Sequence, residues 1–153
     1  FTPTVQYWAD DIARWTSNSI VTPNMLATVM QLQSCGNPTY ANGGLFGLPD
    51  VDMTNQPFTD PEANAQAAIA RLEDGLNATG GDFGMALAYY SGGATTLHSD
   101  FTQWSQMARD LFIIGRNLYN QAQSNISTSV DMLSWVNQSG TTLCNEAQTV
   151  LNR

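Results

Sequence analysis

TPNMLATVMQLQSCGNP, residues Thr22–Pro38, holds the start, body and stop of one helix in a single stretch. Thr22 is a capping threonine and Pro23 takes the first helical position, where a missing N–H costs nothing. Met25, Leu26, Val29 and Met30 then recur on one helical face, and Gly36 is a natural terminator. Two glutamines, Gln31 and Gln33, precede one of only two cysteines just before the break. Which of them does what is the question this stretch raises.

The same grammar repeats outward. Thr2-Pro3 opens a helix carrying Val5, Trp8, Ile12 and Trp15 at helical spacing. Residues 36–59 hold four glycines and three prolines with no sustained period, so a long loop is expected there. A loop of that length in a compact domain is usually functional. Asp60-Pro61-Glu62 starts a thin, alanine-rich helix that Gly80-Gly81 breaks. Asp82 caps FGMALAYY, a nearly all-apolar helix that must be buried, and the SGG at Ser91–Gly93 ends it. The longest helix is expected from Ser99 or Asp100 to about Ala122, followed by short helices around Val130–Asn137 and Leu143–Leu151. No run alternates as a strand would. The expectation is an all-α single domain over 1–153, with about six to seven helices and the long loop after the second.

Composition narrows the function. With 153 residues, 42% hydrophobic and 12% charged, the chain is long enough for one sizeable core and too apolar for disorder. Thirteen acids face five bases, all arginine, for a net charge of −8. Nucleic-acid binding and a polybasic membrane anchor both need clustered positive charge, so neither is expected. No segment approaches a membrane span; the longest apolar run near the middle is Leu111–Ile114. A neutral or amphoteric substrate such as a glycan fits better, and a monomer is expected. The chain begins at Phe1, without an initiator methionine, as a processed or trimmed fragment would.

Cys35 and Cys144 either form one disulfide or stay as buried thiols. The disulfide is the expectation, and it implies export to a secreted, extracellular or cell-envelope location. Two cysteines without a histidine partner make no zinc site, and no metal or cofactor is expected. The only histidine, His98, lies in a Ser/Thr-rich stretch with no nucleophile elbow, which favours a surface residue over a catalytic triad. GGLFGLPD has glycines but no lysine and no preceding strand, so it is not a phosphate loop. Carboxylate pairs are open among Asp50, Asp52, Glu62 and Glu73, with helix-dipole stabilisation the simpler role for Glu62 and a solvated helix face for Glu73. Tyr89, Tyr90, Trp104 and Phe46 are candidates to line a sugar groove, though most such rings end in the core.

The order of segments adds a resemblance. TPNMLATVMQLQSCGNP, then GLFGLP, then DPEANAQAAIARL, then MALAYYSGG resembles the SLT-type lytic transglycosylases of the lysozyme-like superfamily over roughly residues 20–95. Residues 99–153, with Leu143-Cys144, look like the C-terminal helical extension of exported members. In that family the first segment ends in Glu-Ser followed by Asn-Pro. Ser34, Asn37 and Pro38 match, and the glutamate position is Gln33. Asn42 stands where a serine near the acid is common. Gly44-Leu45-Phe46 or Gly47-Leu48 aligns with the family's Gly-Leu-(Met/Phe)-Gln run, which leaves Gly47 or Asp50 in place of its glutamine. Tyr90 and Gly93 match the last motif, with Ser91 in place of asparagine.

The resemblance implies an enzyme that cleaves the MurNAc–GlcNAc bond of peptidoglycan with one carboxyl group. That group protonates the leaving oxygen and then deprotonates the sugar's own 6-hydroxyl, so no second carboxylate is needed, unlike the two-carboxylate scheme of typical glycosidases. Gln33 keeps the size of glutamate but transfers no proton. The expectation is therefore a peptidoglycan or GlcNAc-containing glycan as partner, with Ser34, Asn42, Phe46, Gly47, Asp50, Tyr90 and Ser91 around it and little or no cleavage. A non-catalytic glycan-binding or scaffolding module of the same fold is the alternative, and a protein-interaction domain is a third reading. An engineered isosteric swap and a natural loss of the acid both remain open at position 33.

Overall fold

The computed structural model describes residues 1–49, 60–124 and 140–152, and among them every regular element is helical. The expected helix around Val130–Asn137, and the acids Asp50 and Asp52, lie outside the described residues. Helix α3 (Pro23–Gln33) starts and stops where its sequence says. The Thr22 hydroxyl accepts the Met25 N–H at 3.3 Å. At the far end Ser34 and Cys35 both direct their N–H to the Met30 carbonyl, at 3.0 and 2.9 Å. Cys35 then takes a left-handed φ of 54°, unusual for a residue with a Cβ, and Gly36 follows at 90°. Only glycine fits at 36, because a Cβ there would lie 2.3 Å from the Thr4 carbonyl oxygen.

The amino-terminal helix divides into α1 (Pro3–Gln6) and α2 (Ala9–Trp15), where one helix was expected. The break falls at Tyr7-Trp8, and the Trp8 indole donates across to the Gly36 carbonyl at 2.9 Å. α4 (Pro61–Ala78) is capped by Asp60 and α5 (Phe83–Gly92) by Asp82, as their sequences require. The two pack closely because Gly75 of α4 meets the Ala86 backbone of α5; a Cβ at 75 would stand 3.1 Å from the Ala86 oxygen. Phe83, Ala86, Leu87 and Tyr90 of α5 are all buried, which makes this short apolar helix the centre of the core. A single turn, α6 (Ala94–Leu97), follows.

The next helix starts later than expected. Ser105, not Ser99 or Asp100, caps it, accepting the Ala108 N–H at 3.1 Å. Phe101–Gln103 is only a 3₁₀ turn, and Trp104 is extended, with its indole donating to the Ser99 carbonyl at 3.1 Å. α7 (Gln106–Asp110) continues through a π-helical segment, Leu111–Gly115, into α8 (Arg116–Ser124). The widened turn lets Gly115 lie against Leu87 and Leu32, where a Cβ would meet Leu87 Cδ1 at 2.6 Å. Finally α9 (Thr141–Leu151) returns to α3 through the disulfide Cys35–Cys144, with Cα atoms 5.1 Å apart. The bridge expected from the sequence is present.

Part of the long loop is core. Gly44–Phe46 forms a 3₁₀ turn with Leu45, Phe46 and Leu48 buried. Asn64, itself 1% exposed on α4, clips this turn down. Its Oδ1 accepts the Phe46 N–H and its Nδ2 donates to the Gly43 carbonyl, each at 3.0 Å. Asn64→Ala leaves both backbone groups unpaired in the interior, at about 1–3 kcal/mol each. The expected result in urea unfolding is a loss of about 2–5 kcal/mol. A loss below about 0.5 kcal/mol would mean that the turn holds without its clip.

Candidate functional site

The two glutamines of α3 point to different tasks. Gln31 is fully buried and fully used. Its Oε1 accepts the Thr2 N–H at 2.9 Å and the Thr2 hydroxyl at 3.2 Å, while its Nε2 donates to Cys35 Sγ at 3.2 Å. It ties the chain's beginning to the disulfide. Gln33 is 8% exposed, yet its amide makes no hydrogen bond among the described residues. It lies on the shared wall of two adjoining cavities. The side chain is largely buried, while its amide has no protein partner and borders open space, which leaves the head available to a ligand.

The larger cavity, ≈ 580 Å³, is mostly apolar: Leu32, Met107, Leu111, Ile114 and Leu143 wall it. Asp110 adds a carboxylate there, accepting from Gln106 Nε2 at 2.7 Å. The smaller, ≈ 390 Å³, is more polar and is lined by Tyr40, Asn42, Gly47, Pro49 and Ser91 around Gln33. Gln33, Tyr40 and Met107 belong to both, so the two read as halves of one groove divided at the end of α3. Gly47, at φ 55°, lies flat against Gln33; a Cβ there would come within 2.5 Å of Gln33 Oε1. The amide thus has room only because residue 47 has no side chain.

Tyr90 closes the floor of the smaller half. It is fully buried, and its hydroxyl donates to the Phe46 carbonyl at 2.5 Å. Burial pushes its phenol well above the usual range, and nearby Arg71 opposes that only in part. The ring therefore stays protonated and acts as a fixed donor holding the loop turn, not as an acid. Arg71 reaches the same residue from outside, donating from Nε to the Tyr90 carbonyl at 2.5 Å.

Of the residues expected at a substrate, Gln33, Asn42, Gly47, Tyr90 and Ser91 meet around the smaller cavity. Asn42 is exposed and its Nδ2 donates to the Tyr40 hydroxyl at 3.3 Å. Two expectations need correction. Ser34 is buried, donating to the Leu45 carbonyl at 2.6 Å and accepting the Gly36 N–H at 3.1 Å, so it secures the helix end and has no free face. Phe46 is also buried, packed edge-on to Trp15 with centroids 6.1 Å apart. Neither lines the groove. Asp50 lies outside the described residues. Glu62 is engaged on the surface by Arg14 at 2.6 Å, a solvated pair of small energetic consequence, and His98 is exposed.

Sequence reasoning missed Tyr40, Met107, Asp110 and Leu143. The apolar run Leu111–Ile114 was visible in the chain, but nothing local says that it, α9 and the end of α3 enclose one cavity. Among the described residues no three His, Cys, Asp or Glu side chains gather as a metal site, and no helix is long and apolar enough to cross a membrane. Comparisons with protein-family models, curated proteins and solved structures give no match.

Proposed function

We propose that this chain is a glycan-holding domain of the lytic transglycosylase type, in which the acid position carries an amide and the glycosidic bond is bound without being cut. The observation that carries the reading is Gln33: a largely buried side chain whose unpartnered amide ends a helix on the dividing wall of two adjoining cavities. The motif positions Asn42, Gly47, Tyr90 and Ser91 around it support the same reading. An amide donates and accepts hydrogen bonds from a sugar, but it supplies no proton to a leaving oxygen. A peptidoglycan strand is the ligand that the family resemblance suggests, and the disulfide suits a protein working in an oxidising envelope or extracellular space.

Chitotetraose, a chain of N-acetylglucosamine, is the probe. Titrated into ¹⁵N-labelled protein, it is expected to shift the Gln33 side-chain amide and the Gly47 and Ser91 backbone signals saturably, with no cleavage products. Shifts absent from all three would remove the glycan reading.

A further inference from the structure

We infer that Arg71 and Tyr89 form a carboxylate-binding subsite beside the groove, suited to an acidic peptide substituent on the glycan; this rests on the glycan-holding reading above. A separate concavity, also ≈ 390 Å³, is lined by Leu48, Pro49, Ala67, Arg71, Asp74 and Tyr89. Leu48 and Pro49 also wall the smaller half of the groove, so the two concavities share a rim. A ligand lying in the groove can hang a side branch over that rim.

Arg71 is prepared for such a branch. It is half-buried, with its Nε bonded to the Tyr90 carbonyl at 2.5 Å and its guanidinium carbon 5.7 Å from the centre of the Tyr90 ring. These contacts orient the guanidinium plane. Its two terminal nitrogens make no hydrogen bond or ion pair among the described residues. A guanidinium held this way offers N–H groups in the fixed fork that matches a carboxylate, with much of its side-chain freedom already lost before binding. Tyr89, half-buried on the same wall, adds an aromatic surface for the aliphatic part of a peptide.

Charge sharpens the point. Five arginines and no lysine face thirteen acids in this chain. Arg14 is engaged by Asp11 and Glu62, and Arg116 lies 4.6 Å over the Phe112 ring. A chain this acidic repels a ligand bearing carboxylates unless a cation waits where they fall. Arg71 lies beside the groove, where it can meet such a carboxylate. Asp74 lines the same concavity three residues along α4, unpaired with Arg71, and weakens the attraction.

The test compares two ligands by calorimetry: chitotetraose, and a disaccharide unit bearing its stem peptide. Arg71→Gln is expected to lower affinity for the peptide-bearing ligand about tenfold and to leave chitotetraose within about twofold, the loss of one bidentate contact. Asp74→Asn, an exposed change that leaves the core alone, is expected to raise the first affinity about two- to threefold. If Asp74→Asn changes nothing, or a folded Arg71→Gln weakens both ligands equally or neither, the subsite is overturned while the groove reading stands. If the parent chain binds neither ligand, both readings fall together.

Discussion

Gln33→Glu is expected to release anhydro-muropeptides from purified cell wall, where the parent chain releases none. The substitution changes one amide for a carboxyl of nearly the same size. It enters a place where the side chain already has room, flat against Gly47 and without a hydrogen-bond partner to lose. The helix end is apolar on one side, with Leu32, Leu111 and Ile114 at the larger cavity. Withdrawal from water against such walls raises a carboxyl's pKa, which keeps it protonated long enough to serve as a general acid. General acid–base catalysis contributes about 10²–10⁴-fold, and here one group would serve both proton transfers. Because the reaction begins from the protonated carboxyl, activity should fall as pH rises through its raised pKa. A folded Gln33→Glu chain that yields no anhydro product, while still binding chitotetraose, would leave the non-catalytic binding module as the better account.

Removing the disulfide should have the largest effect on stability. Cys35 and Cys144 are 109 residues apart, and closing a loop of that size is worth about 4–5 kcal/mol in the chain-entropy model. A Cys35→Ser, Cys144→Ser double variant is therefore expected to lose about 4–5 kcal/mol in urea unfolding and to melt roughly 10–20 °C lower. The loss should be uneven. α9 buries only Ala147 completely, with Leu143 and Leu151 half-buried, so little besides the bridge holds it. Thr142 and Leu143 form one wall of the larger cavity, whereas no residue of α9 lines the smaller. Hydrogen exchange should rise first over residues 141–151, and chitotetraose shifts at Gly47 and Ser91 should survive. A loss under about 1 kcal/mol would show that packing alone secures this helix.

Caps and breakers explain why so much of the helical pattern was readable. Thr22, Asp60 and Asp82 act on the backbone within three residues, so their effect is local and visible in the chain. Ser105 uses the same chemistry, but Ser99 and Asp100 present equally good signals a few residues earlier. The choice went to Ser105 because Trp104 is buried, packed against Phe112 with centroids 5.6 Å apart, and bonded back to Ser99. The split at Tyr7-Trp8 has the same kind of cause: a single indole reaching Gly36 across the fold. Long-range contacts of this kind leave no trace in periodicity.

At the groove the division is similar. Local spacing alone put Gln33 at a helix end and Gly47 in a loop, and the two cysteines were enough to expect a bridge. Only the packed chain separates Gln31, consumed by Thr2 and the disulfide, from Gln33, left facing a cavity. Ser34 and Phe46 were drawn inward for the same reason, by a loop turn that needed a hydroxyl and a ring to hold it. Short-range rules set where helices begin and end, because capping involves neighbours a few residues apart. Which side chains share a cavity depends on partners tens of residues away, and that is settled only when α3, α5, α7 and α9 come together.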